Sequence, residues 1–150
     1  MIGIDQILRM GSLVLQIQQA SRLFERMLDP ALEEPGVQCS DLPVLILASR
    51  PEGVAIGQHR DSFGYPSGTV SRIARRLENQ GYLHRIRDSP DQRLVSVFAT
   101  LPGRTAAAVA TARIAEIELR ISRRVGDKAV SDAFAVLDAT RQIRPPRRWD

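Results

Sequence analysis

The chain has 150 residues, 43% apolar and 25% charged, a composition that builds a buried core and excludes a disordered tail. One cysteine, Cys39, and two histidines, His59 and His84, exclude an internal disulfide framework and the common structural zinc sites. The net charge of +4 points toward an anionic partner rather than a basic one.

Residues 4–28 read as one long helix, with Met10, Leu13, Ile17, Ala20, Phe24 and Met27 in a single apolar stripe. Leu8, Val14, Leu15, Leu23 and Leu28 widen it beyond what one partner covers, so this helix is expected to bury against two. Asp29-Pro30 should stop it, leaving 29–38 as a linker. Ser40 is the expected N-cap of a short second helix, with Asp41 favourable in its first turn and Leu42, Leu45 and Ile46 on its buried face. Pro43 is tolerated that early, and Pro51-Glu52-Gly53 ends the helix.

Residues 55–63 give a short, weakly patterned helix, followed by Gly64-Tyr65-Pro66. Ser67–Gln80 is a clearer helix. Val70, Ile73, Ala74 and Leu77 form its inner face, Gly81 stops it, and Ser67, Thr69, Ser71, Arg72, Arg75 and Arg76 lie on the opposite side. Short helix, glycine turn, helix with a polar-basic face: this is helix-turn-helix organisation. Residues 83–87 and 94–100 read as strands, the second from the period-two alternation of Val95, Val97 and Ala99. The DSPDQR loop between them is hairpin-turn chemistry. A hairpin directly after a helix-turn-helix makes a winged helix.

Residues 102–125 form another long helix, with Ala110, Ile114, Ile117, Ile121 and Val125 in its stripe. After Gly126-Asp127 comes a last helix over 128–143, with Val130, Ala133, Phe134 and Leu137 expected inward. The end, 144–150, reads as a frayed tail. The expected fold is therefore mostly α with a small β-hairpin wing. Residues 40–101 would form the winged helix-turn-helix, and 1–30 and 102–143 the dimerisation helices of a single unit. No apolar run reaches about 18 residues. Asp5, Gln6 and Arg9 interrupt the first apolar stretch, which has no basic leader, so neither a membrane span nor a signal peptide is expected and the chain is placed in the cytoplasm.

The charge is unevenly distributed. Residues 56–104 hold eight arginines and four acids, so the whole excess lies in that third of the chain. A basic stripe on a neutral scaffold is the electrostatic footprint of a nucleic-acid binder.

At residues 67–104, SGTVSRIARRLENQGYLHRIRDSPDQRLVSVFATLPGR, the chain resembles the MarR family of bacterial winged-helix transcriptional regulators, and the likeness extends over roughly 40–140. Asp91-Gln92-Arg93 matches the family's D-x-R wing, and Thr100 and Gly103 match its T-x-x-G entry into the dimerisation helix. Three positions depart from the pattern. His59 and Arg60 stand where the family usually carries Leu-Ala, and Gln92 stands where a basic residue is frequent. The resemblance implies a homodimer pairing through both chain ends, and repression relieved by a small, often aromatic or carboxylic, effector.

Each candidate residue has a plainer reading beside the functional one. The face of Ser67, Thr69, Ser71, Arg72, Arg75 and Arg76 is either solvated surface or a DNA-contacting face. The hairpin and the local charge favour DNA, with Arg72 reading guanine and Arg75 and Arg76 touching phosphate. Arg93 at the wing either pins the hairpin to Asp91 or, held by that carboxylate, enters a minor groove. Cys39 is either an inert small apolar residue or a redox thiol activated by a helix N-terminus. His59 and His84 lack the supporting cluster of a metal site. No G-x-S-x-G, P-loop or Cys-His spacing is present, so no enzyme and no cofactor is expected. The sequence thus favours a homodimeric regulator bound to double-stranded operator DNA and responsive to a small-molecule effector. The alternative is a winged-helix module that binds protein and has no specific DNA.

Overall fold

The computed structural model describes residues 11–33, 35–55, 65, 68–86 and 96–143. Five helices and three strands lie among them: α1 (Leu13–Leu32), α2 (Leu42–Ala48), β1 (Val54–Ala55), α3 (Thr69–Asn79), β2 (Leu83–Ile86), β3 (Ser96–Ala99), α4 (Leu101–Val125) and α5 (Asp127–Gln142). A 3-10 turn, Cys39–Asp41, leads into α2. The strands form an antiparallel sheet in the order β1-β3-β2, with Val54 opposite Val97 and Leu83 opposite Ala99.

The core lies under the sheet. Val44 and Leu45 from α2, Ala74 and Leu77 from α3, and Val54 and Val97 from the sheet are almost wholly buried. On α4, Ala106, Ala107 and Ala110 form a face of small residues that α2 packs against. The inner face expected of the helix at 67–80 is observed in full on α3: Val70, Ile73, Ala74 and Leu77 are all buried. Beyond Ile117, α4 leaves this core and pairs with α5.

Four elements differ from the sequence expectation. The first helix is not continuous over 4–28: Gly11 takes a left-handed φ of +67° and Ser12 is extended, its hydroxyl capping Leu15 N–H at 3.5 Å. Nor does Pro30 stop it. The helix runs on to Leu32 because Leu28 and Leu32, one turn apart, are both buried, and that burial offsets the missing amide. Arg113 of α4 supports the weakened turn, its Nε donating to Met27 O at 3.1 Å.

Ser40 is not an N-cap. The turn before α2 closes instead through Asp41, whose Oδ2 accepts Gln38 N–H at 2.9 Å. The helix expected over 55–63 begins wrongly, since Ala55 pairs with Ser96 in β1; residues 56–63 lie outside those described. Gly53 makes this strand possible. At φ +64° it turns the chain, and a Cβ there would sit 2.6 Å from the Phe98 ring and 2.7 Å from Val97 O. Finally, Val130, Ala133, Phe134 and Leu137 do not turn into a core of this chain: no residue of α5 is buried. They line, with Phe24, Ile117 and Ile121, an apolar groove of about 450 Å3.

Candidate nucleic-acid interface

Helix α3 starts from Gly68, whose left-handed φ of +84° a residue with a side chain adopts only under strain. Its inner stripe fixes which residues face out. Ser71, Arg72 and Arg75 are exposed and Thr69 is half-buried. Arg72 Nη2 donates to Thr69 Oγ1 at 3.2 Å, one turn back toward the helix N-terminus. Among the described residues no acid pairs with Arg72 or Arg75, so both keep their charge for an outside partner.

Arg76 is placed otherwise. Its Nη2 turns inward to Oδ1 of Asp41, a wholly buried carboxylate. The sequence reading missed Asp41 in this role. Its signal was there, an acid set directly before the apolar run Leu42–Ala48. Ser67, Asp91 and Arg93, with His59 and Arg60, lie outside the described residues.

The far end of α3 is held from three sides. A Schellman motif ends it: Gly81 N–H bonds Glu78 O at 2.9 Å and Tyr82 N–H bonds Leu77 O at 2.8 Å. Arg85 of β2 pairs with Glu78 at 2.7 Å, off the N–H direction, an ion pair rather than a hydrogen bond. Gln80 Nε2 donates to Gly36 O at 3.1 Å and Tyr82 O–H to Pro35 O at 2.6 Å, tying the helix end to the turn after α1. Thr100 completes the clamp. Its N–H donates to Tyr82 O at 3.0 Å, its hydroxyl to Gly81 O at 2.7 Å, and the same oxygen caps Gly103 N–H at the start of α4. The T-x-x-G step is thus a joint between the exposed helix and the long helix that follows.

Cys39 sits half-buried in the wall of an open groove of about 930 Å3, between α1 and the 3-10 turn, lined by Arg22, Glu25, Arg26 and Asp29. Burial first, then the charges of Glu25 and Asp29, push its thiol above the ordinary range, the reverse of helix-terminus activation. Tyr65 O–H donates to Ser40 O at 2.7 Å, and burial followed by the Asp41 charge raises its phenol. His84 stacks on Phe98 across the β2–β3 pair, ring centroids 5.9 Å apart. No cluster of three metal-ligating residues occurs among the described residues, and none of their helices is long and apolar enough to cross a membrane.

A small antiparallel sheet behind an exposed basic helix, braced against the long helix α4, defines a winged-helix fold. No family model matches the chain. It is 38% identical over 61 residues to the HTH-type transcriptional regulator TtmR of Methylorubrum extorquens (strain PA1), a match covering 41% of this chain and only 31% of that protein. Among solved structures it resembles a MarR-family transcriptional regulator from Rhodococcus sp. RHA1, with TM-score 0.69 at 22% identity over 88% of this chain and 98% of that one. CouR from Rhodococcus jostii RHA1, bound to p-coumaroyl-CoA, superimposes with TM-score 0.75 at 21% identity over 91% and 96%. MepR of S. aureus, in complex with DNA, does so with TM-score 0.74 at 18% identity over 86% and 96%. The fold is that of the MarR family of transcriptional regulators.

Proposed function

We propose that the chain is a homodimeric transcriptional regulator of the MarR family that binds a pseudo-palindromic operator in double-stranded DNA and represses until a small effector binds. The observation that carries this reading is the outward face of α3. Ser71, Arg72 and Arg75 are exposed on a helix secured at its far end, as insertion into a major groove requires. Arg72 reads guanine, Thr69 and Ser67 add hydroxyl contacts, and Arg75 neutralises phosphate. At the wing, Arg93, oriented by Asp91, enters the flanking minor groove.

Dimerisation is supported by apolar surface that a lone chain leaves in water. Leu13, Val14, Leu15 and Leu23 on α1 and Phe134 on α5 are all exposed, and Phe24 and Phe134 border the same groove. A second copy covers these faces, and the twofold axis sets two α3 helices about one turn of DNA apart. The mixed-charge groove beside Cys39 has room for an effector of drug size. Nothing in this role calls for catalysis or a cofactor, and the cytoplasm is where such a regulator meets DNA.

Selection of bound duplexes from a random pool tests the reading, followed by affinity measurements at rising salt. The expected result is one preferred inverted repeat, bound at least about a thousandfold tighter than unrelated DNA with a steep salt slope. A chain that enriches no sequence and ignores salt is instead a protein-binding winged helix.

A further inference from the structure

We infer that Arg76 is a positioning residue rather than a DNA contact: through its ion pair with the buried Asp41 it sets the orientation in which α3 presents Arg72 and Arg75. The inference rests on the operator-binding reading and adds a residue pair to it.

Asp41 is fully buried, and both its oxygens are occupied, Oδ2 by the Gln38 amide and Oδ1 by Arg76 Nη2. A carboxylate out of water holds its charge only where a cation and hydrogen bonds replace the lost hydration. Arg76 is the one cation paired with it among the described residues. The guanidinium is held in turn through Nη2. Its side chain is 39% exposed, against none for Asp41, and its Nε is buried without a hydrogen-bond partner among the described residues. Swinging Arg76 out to a phosphate would strand Asp41 as an unpaired charge in the core, a penalty larger than one phosphate contact returns.

The position of the pair explains what it does. The buried stripe of Val70, Ile73, Ala74 and Leu77 sets which side of α3 faces out, and Gly81, Tyr82 and Thr100 fix its far end, but apolar packing is non-directional and leaves the fine roll of the helix to a polar attachment. Arg76 lies one residue beyond Arg75 and one turn beyond Arg72, so its inward bond sets the roll angle of the outward pair. Asp41 belongs to the 3-10 turn entering α2, on an element distinct from the clamp. Two separated attachments define one orientation.

The test uses Arg76→Gln, Asp41→Asn and the double variant, which removes both charges together and so strands neither. Each variant is checked by circular dichroism to be folded at the assay temperature. Binding is then measured on the duplex selected by the parent chain and on an unrelated duplex of equal length, over a series of salt concentrations. A positioning role predicts that both single variants lose preference for the selected duplex by about tenfold or more, the scale of one misplaced base contact. Binding to unrelated DNA and the salt slope stay as in the parent, and the double variant is no worse than either single one. Asp41 cannot reach DNA, so its effect is diagnostic, and it stands even where Arg76→Gln fails to fold. The inference is overturned if Arg76→Gln lowers the salt slope by about 0.9 and weakens both duplexes alike, the mark of a phosphate contact. It is equally overturned if Asp41→Asn and the double variant discriminate as the parent does. A parent chain that prefers no duplex refutes the operator reading itself, a separate outcome visible before any variant is made.

Discussion

Replacing Gly103 by alanine is the sharpest test of the joint between α3 and α4, because two physical effects there have opposite signs. Gly103 sits in the first turn of α4, and by helix propensity alone alanine should stabilise it by about 0.5–1 kcal/mol. A Cβ at this position, however, would stand 2.0 Å from Tyr82 O and 3.0 Å from Tyr82 C. Both are backbone atoms, so no flexible side chain can yield. Tyr82 O is also the acceptor of Thr100 N–H at 3.0 Å, with the Thr100 hydroxyl 3.2 Å away. Overpacking costs about 1–3 kcal/mol, and moving the Tyr82 carbonyl weakens bonds worth about 1 kcal/mol each. Subtracting the propensity gain leaves a net destabilisation of about 1–4 kcal/mol. Urea titration followed by circular dichroism measures it, at one fixed protein concentration because self-association makes a midpoint depend on concentration. A variant as stable as the parent, or more so, would refute the close approach of these two segments and with it the clamp on α3.

Arg72→Ala is expected to cost about 1–3 kcal/mol on the selected operator and little on unrelated DNA, while Arg75→Ala weakens every duplex and reduces the salt slope by about one unit; anisotropy titrations separate the two. Phe134 is 57% exposed in the isolated chain, so Phe134→Glu should leave a monomer's melting unchanged but dissociate a dimer, as sedimentation velocity will show. Because burial and the acids Glu25 and Asp29 raise the Cys39 thiol, its thiolate fraction at pH 7–8 lies below that of a free cysteine. Iodoacetamide should therefore label it more slowly than a model peptide, with the rate climbing only at higher pH.

Local chemistry was legible from the chain alone wherever one residue's needs decide the conformation. The stripe Val70, Ile73, Ala74, Leu77 defined α3 and its inner face because apolar side chains at that spacing can be buried only together. Gly81 marked its end, because a left-handed turn admits few residue types, whereas Thr100-x-x-Gly103 was legible only as a resemblance to the family's motif, and the close backbone approach that demands Gly103 appears only in the fold. The concentration of arginine over 56–104 likewise pointed to an anionic partner before any fold was known. Tertiary contacts decided the rest. Pro30 reads locally as a helix stop, yet the burial of Leu32 and the Arg113 bond to Met27 carry α1 past it. Val54 and Ala55 are too short a run to announce a strand, and only β3, more than forty residues away, supplies the partner. Arg75 and Arg76 are identical neighbours in sequence, and the sequence reading gave both the same role. The difference arises because a helix rotates successive residues by about 100°, so that one guanidinium faces water while the next reaches the buried carboxylate of Asp41 that the packing of α2 against α3 brings beneath it.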